Sequence, residues 1–180
     1  MPPQREVVLG GYGLIGSACL TALADAGFAA TGIGRSALAA KRAEPRADWH
    51  IQDLTQISAP EWTEILQGAS VVVNAAGALQ EGLRDDLTAI HVTALSRLIV
   101  AARSRKVRII QISAAGARPT ASTEFFRSKA AGNEILRQSS ADWVILRPTL
   151  VLAPESLAVP PCCARRLHCH GFCRRSCRAH

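Results

Sequence analysis

The stretch Val7–Leu23, "VVLGGYGLIGSACLTAL", decides the fold. An apolar run enters it, a glycine-rich turn interrupts it, and an Ala/Leu-rich run leaves it. Gly11, Gly13 and Gly16 satisfy G-x-G-x-x-G, and Gly10, Gly13 and Gly16 also satisfy G-x-x-G-x-x-G. Between a strand and a helix that spacing has a physical reading. The first glycines permit a tight turn with positive φ. The next lets main chain approach a diphosphate with no Cβ in the way, and Gly16 lets the helix pack closely on the strand. The helix start then presents unsatisfied N–H groups and a partial positive charge. The candidate phosphate-binding segment is therefore Gly10, Gly11, Tyr12, Gly13, Leu14, Ile15 and Gly16.

Outward from this turn, β-rich runs alternate with segments of helical spacing. The sequence predicts strands at Glu6–Leu9, Ala29–Gly34, Trp49–Gln52, Val71–Asn74, Arg108–Ser113 and Trp143–Arg147. Helices are predicted at Ile15–Ala26, Ser36–Arg42, Pro60–Leu66, Leu87–Ser104 and Thr123–Gln138. Val and Ile on consecutive strand positions suit a sheet covered on both faces. Alternation of strand and helix implies parallel pairing with right-handed crossovers. The predicted fold is a Rossmann-like, doubly wound parallel sheet in three α/β/α layers, over residues 1–154.

The end of the second strand should read the adenosine ribose of a dinucleotide. An acidic residue there binds the 2′-hydroxyl of NAD, whereas an arginine accepts the 2′-phosphate of NADP. "TGIGRS" places Arg35 at that point, and a guanidinium pairs bidentately with phosphate. NADP is favoured over NAD as the cofactor.

With these residues in place, the chain resembles the short-chain dehydrogenase/reductase superfamily. It is most similar to the extended or atypical branch, near NmrA-like proteins and those similar to the complex I NAD(P)-binding accessory subunit. The resemblance covers about residues 5–154 and rests on ordered segments: "GGYGLIG", "QDLTQ", "NAAG", "QISAAGA", "FFRSK" and "DWVILRPTLVLAP". It implies that Asp53 and Leu54 lie beside the adenine. It implies that Asn74, Ala75, Ala76 and Gly77 pass under the ribose and nicotinamide side. It further implies that Ser113 orients a substrate carbonyl, Lys129 bonds the nicotinamide ribose, and Pro148 lies near the carboxamide. His91 falls where the family often has Asn, and its setting reads as that of a half-buried helical histidine.

One feature departs from the family. Its proton donor is a tyrosine four residues before the lysine, and here that position is Phe125 in "TEFFRSK". The chain's single tyrosine is Tyr12, in the glycine turn. General acid catalysis typically contributes about 10²–10⁴-fold, so ordinary ketone reduction should be impaired while cofactor binding is not. Two readings follow: an oxidoreductase of atypical mechanism with Ser113 and Lys129 as catalytic candidates, or a non-catalytic nucleotide-binding module acting as redox sensor, scaffold or assembly factor.

Composition bounds the rest. The 180 residues are 48% hydrophobic and 19% charged, enough for one folded domain burying about two-thirds of its surface. No run of eighteen apolar residues predicts a membrane span. The N-terminus enters a strand without a leader pattern, so a cytoplasmic protein is expected. The net charge of +7 divides as +3 over residues 1–154 and +4 over residues 155–180, so no dedicated nucleic-acid surface is expected on the folded part. Five of the six cysteines, Cys162, Cys163, Cys169, Cys173 and Cys177, also lie in the last segment. Their spacing lacks paired C-x-x-C knuckles, which argues against zinc, and a cytoplasmic setting disfavours disulfides. A shifted reading frame accounts for the Arg/Cys-rich tail better, because the other frame is compatible with an Ala/Leu-rich continuation. The tail is expected to be disordered, leaving the domain without the family's substrate-binding segment.

Overall fold

A computed structural model describes residues 5–77 and 86–152 of the chain. The Cys/Arg-rich segment, and so every expectation placed on it, lies outside the described residues. The chain divides into a unit spanning Met1–Thr149 and a second spanning Leu150–His180. The first unit holds all the regular structure described below.

Six strands form one parallel sheet: β1 (Arg5–Leu9), β2 (Ala29–Gly34), β3 (Asp48–Ile51), β4 (Ala69–Asn74), β5 (Arg108–Ile112) and β6 (Trp143–Leu146). Their order is β3-β2-β1-β4-β5-β6, with the chain reversing its direction of travel between β1 and β4. The expected doubly wound sheet is thus present, and its switch point lies beside the glycine turn. The helices are α1 (Leu14–Asp25), α2 (Ala37–Ala43), α3 (Ala59–Ile65), α4 (Leu95–Arg105) and α5 (Glu124–Gln138).

Alternation along the strands divides the core between the two faces. Val7 and Leu9 of β1, with Ile33, Val72 and Ile109, pack against Trp62 of α3, Leu95 and Leu98 of α4, and Leu136 of α5. Val8, Ala30, Val73 and Ile112 pack on the other face with Leu20 of α1. Both faces are covered in the middle of the sheet. At the edge strand β6 only one is: Trp143 and Ile145 join the first cluster, while Val144 and Leu146 are 41% and 47% exposed. The double cover expected for every strand therefore holds at the centre and fails at this edge.

Local chemistry sets the ends of the elements. Ser58 accepts from the Glu61 amide while Glu61 accepts from the Ser58 amide, a capping box reinforced by Pro60. Ser36 and Thr123, expected as first helical residues, instead cap α2 and α5 from just outside. The predicted helix Leu87–Ser104 is interrupted: Ala89–Ala94 forms a π-helical turn before α4 begins. Arg97 of α4 reaches back to the carbonyls of Thr55 and Ile57, holding a 3₁₀ turn (Leu54–Gln56) that was not expected.

The seating of α1 on β1 depends on Gly16. A Cβ at that position would lie 2.2 Å from the carbonyl oxygen of Gly10. Backbone cannot yield there without undoing the turn. Gly16→Ala should therefore destabilise the fold by about 1–3 kcal/mol and shift α1 off the turn. The check is thermal melting against wild type, with an unchanged midpoint counting against this account.

Candidate nucleotide-binding and reaction site

The glycine turn has the form its sequence requires. Gly10 adopts φ +67, and its carbonyl accepts from the Gly13 amide at 2.9 Å. A Cβ on Gly10 would meet the Cα of Ala76 at 2.9 Å, so the turn lies directly against the segment leaving β4. Gly13 caps α1 with no side chain bonded to the helix start, and both Gly13 and Leu14 are exposed. The first-turn amides, Leu14 and Ile15 among them, lack intrahelical acceptors by construction. This is a main-chain cradle facing solvent at the positive end of a helix, which is what a diphosphate requires. The residues present fit a dinucleotide.

On one flank, Tyr12 ties the turn to the end of β2. Its hydroxyl accepts from the Arg35 amide at 3.1 Å, and its ring covers Gly34, where a Cβ would come within 2.3 Å. Tyr12 also stacks on Trp49 of β3, with ring centroids 6.5 Å apart. Arg35 Nη1 stands 3.7 Å from Asp53 Oδ2, an exposed pair of small energetic weight. The other carboxylate oxygen, Asp53 Oδ1, accepts from the amide and hydroxyl of Thr55. Asp53 therefore caps the 3₁₀ turn as well as facing Arg35. Leu54 packs against the core.

On the other flank lie the segment Asn74–Gly77, the end of β5, and α5. The Asn74 side chain is consumed internally: Nδ2 donates to Gln111 Oε1 at 2.8 Å, and Oδ1 accepts from the Ala76 amide. What Ala75, Ala76 and Gly77 offer a ligand is main chain. Ser113 is buried, and its hydroxyl accepts from Asn133 Nδ2 at 2.7 Å. Its amide donates to Leu146, and Ala115 donates to the carbonyl of Pro148, so Pro148 is held alongside this strand exit. Lys129 is buried, with Nζ donating to the carbonyl of Ile112 at 2.9 Å and weakly to that of Ala76 at 3.5 Å. Ser113 and Lys129 are thus linked through main chain, since Ile112 immediately precedes the serine. The Phe125 ring centroid lies 5.8 Å from Lys129 Nζ. The aromatic–lysine arrangement is in place, and the hydroxyl is missing from it.

His91 differs from its expected setting. It is fully buried at 3% exposure, carried by the π-helical turn into the site. Its ring meets Phe125 edge-on, and Nδ1 lies 2.9 Å from Ser128 Oγ. A Cβ on Gly132 would strike the His91 carbonyl at 2.2 Å, so α5 presses on this turn where it has no side chain. Asn133 was also missed in the sequence. Phe125, Lys129 and Asn133 recur every four residues on one face of α5, a spacing that could have pointed to it.

Electrostatics here follow from dryness. Burial pulls the Lys129 ammonium down to about 8, because the charged form loses its hydration. Burial, then the nearby Lys129 charge, lowers His91 to about 3, so the imidazole is neutral at physiological pH. The described cavities of about 360 and 430 Å³ lie elsewhere, lined by Arg5, Asp48 and Glu64 or by Arg103 and Asp142.

A parallel sheet whose switch point carries a glycine cradle at a helix N-terminus defines a dinucleotide-binding Rossmann domain. The family model described as NAD(P)H-binding matches residues 10–158, and the chain belongs to that family. Similar solved structures include the Bordetella bronchiseptica enzyme WbmH in complex with NAD+, with 19% identity and a TM-score of 0.68, over 81% of this chain and 56% of that one. A short-chain dehydrogenase/reductase superfamily protein from Agrobacterium tumefaciens with bound NAD has 21% identity and a TM-score of 0.64, over 79% and 48%. A short-chain dehydrogenase/reductase from Vibrio parahaemolyticus has 17% identity and a TM-score of 0.65, over 80% and 78%. These establish a shared fold, and the chain spans about half the length of the first two. No curated protein sequence matches the chain. No helix among the described residues is long and apolar enough to cross a membrane.

A pH test follows from His91. Its folded pKa is depressed, so its contribution is fully present above about 6.5 and is lost as pH falls toward about 3. Over that window wild type should lose up to about 1.4 kcal/mol per pH unit relative to His91→Asn. Buried Glu6, whose carboxyl is raised by burial, works in the opposite sense but cancels in this comparison. Denaturant unfolding at several pH values measures the difference, and a flat difference refutes a buried neutral imidazole.

Proposed function

We propose that this chain is an NADP(H)-preferring oxidoreductase module of atypical mechanism, acting in the cytoplasm. The observation that carries the reading is the exposed main-chain cradle of Gly10–Gly16 set beside Arg35 at the end of β2. In this reading the amides of Leu14 and Ile15 hold the diphosphate. Arg35 holds the 2′-phosphate, with Tyr12 fixing the main chain beneath it. Asp53 and Leu54 border the adenine, and Ala75, Ala76 and Gly77 run under the second ribose. Lys129 reaches that ribose from below, Pro148 flanks the carboxamide, and Ser113 orients a substrate oxygen. When bound, the dinucleotide supplies or accepts a hydride; the chain's own part is to orient it, exclude water beneath it and manage one proton at Lys129.

Phe125 favours a second reading. Without a phenol, and with Lys129 already bonded to two carbonyls, the site serves equally as a non-catalytic module that senses or scaffolds through its nucleotide. The substrate class is left open by both readings.

Fluorescence titration tests the cofactor assignment. NADPH should bind more tightly than NADH. Arg35→Ser should weaken NADPH about 10–100-fold, the worth of a charged hydrogen bond, while changing NADH affinity by less than about threefold. Equal loss for both dinucleotides removes the 2′-phosphate role. No affinity for either removes the proposal altogether. Substrate-dependent oxidation of NADPH then separates the oxidoreductase from the module.

A further inference from the structure

The sheet ends in β6, which pairs with β5 and with no other described strand. The carbonyls of Asp142 and Leu146 accept from the amides of Ile109 and Ser113. Alternation therefore turns the main-chain N–H and C=O groups of Trp143 and Ile145 away from β5, toward the outer edge. Val144 and Leu146, on the sheet face opposite Trp143 and Ile145, are exposed. An outer edge of this kind is normally blunted by a charged side chain, a proline or a bulge. Trp143–Leu146 carries none of these: it is four apolar residues in unbroken register with β5. Exposed charges of opposite sign bracket it, Asp142 before and Arg147 after. Residues 155–180 hold five arginines and one glutamate, a poor complement for an apolar run. The run complements itself.

We propose that β6 pairs antiparallel with β6 of a second copy of this chain, joining the two sheets into one across a two-fold axis. A parallel pair would set Asp142 beside Asp142 and Arg147 beside Arg147. The antiparallel pair lays each acidic end along the other copy's basic end, and its symmetry closes the assembly at two. Opposing residues in such a pair share a sheet face, so the axis passes through a residue. Placed on Ile145, it makes a hydrogen-bonded pair at the centre, because the outward groups of that residue meet their own copies. Val144 then faces the partner's Leu146, Leu146 faces the partner's Val144, and Trp143 faces the partner's Arg147. Pro148 lies in the register that faces β5, where its carbonyl accepts from Ala115, so its missing N–H costs the outer edge nothing. Both charges are already steadied on their own copy. Arg108 holds Asp142, and the carbonyls of Ala114 and Ala117 hold Arg147. Two strands of four residues bury less than the roughly 1,200 Å² of a standard interface, so the dimer is weak and forms at about 10–100 µM. It requires no bound dinucleotide.

The test uses the full chain in sedimentation equilibrium from about 1 to about 500 µM, as wild type and with Val144→Lys and Leu146→Lys combined. Both side chains are exposed, so thermal melting should show the variant folded. Wild type should pass from monomer to dimer over this range, and the variant should need at least about tenfold more protein to do so, because lysines on an edge strand oppose pairing. Hydrogen exchange across residues 142–147 of wild type supplies a readout that does not depend on how the variant folds. It should slow as the concentration rises through the same range. A monomer at every concentration overturns the proposal, as does a dimer that the two lysines leave unchanged. Assemblies that keep growing beyond two copies rule out a closed pair. Slow exchange of this segment in a monomer shows the edge covered by the chain's own later residues and overturns it too.

Discussion

The contact on which the structure depends is the close approach between the start of α1 and the turn below it. Gly16 faces the Gly10 carbonyl across a gap that admits no Cβ, and Gly10 in turn faces the Cα of Ala76. These two absences stack three layers of main chain: helix, turn and the exit from β4. The first layer presents amides, the second sets their direction, and the third forms the floor on the neighbouring strand. A site assembled this way is rigid because its parts are backbone. It also tolerates varied side chains around it, which is consistent with a shared fold at 17–21% identity.

The flank formed by the exits of β4 and β5 and by α5 is built on a different principle. There the side chains of Asn74, Gln111, Ser113 and Asn133 bond to one another in pairs, consuming much of their capacity in holding the strand exits together. Among the described residues, unpartnered capacity remains at His91 Nε2 and Asn133 Oδ1, and burial disfavours the charged forms of His91 and Lys129. Phe125 adds to that dryness with an apolar ring whose centroid lies 5.8 Å from the lysine nitrogen. The lysine in this chain has carbonyls for company, and its acidity is set by desolvation.

Much of this was legible in the sequence, and the reason is periodicity. Six short β-prone runs, four of them rich in Val and Ile, alternate with helical spacing and leave little choice but a doubly wound sheet, and "GGYGLIG" marks the turn at its switch point. Arg35 and Lys129 could be placed by spacing from the glycines and from Phe125. The features that escaped depend on contacts between distant elements. The π-helical turn at Ala89–Ala94 has no residue signature in the sequence, and it lies where α5 approaches His91 through Gly132. The double role of Asp53, capping Thr55 and facing Arg35, needs the β2–β3 register to be known. The one-sided cover of β6 is likewise invisible locally, because a strand that reads as buried on two faces finds neighbours on one.

That π-helical turn has a consequence for how this region can change. A π turn carries one residue more than an α turn, about 100° of rotation around the axis. Everything after it on α4, including Leu95 and Leu98 in the core and Arg97 on the 3₁₀ turn, is phased by that extra residue. A single deletion in the part of the turn that follows His91 would straighten the helix and hold its downstream packing only by rotating the imidazole about 100° around the axis. Length in this segment is therefore as heritable a trait as any side chain in it: the count of residues, more than their identity, keeps the ring pointed inward.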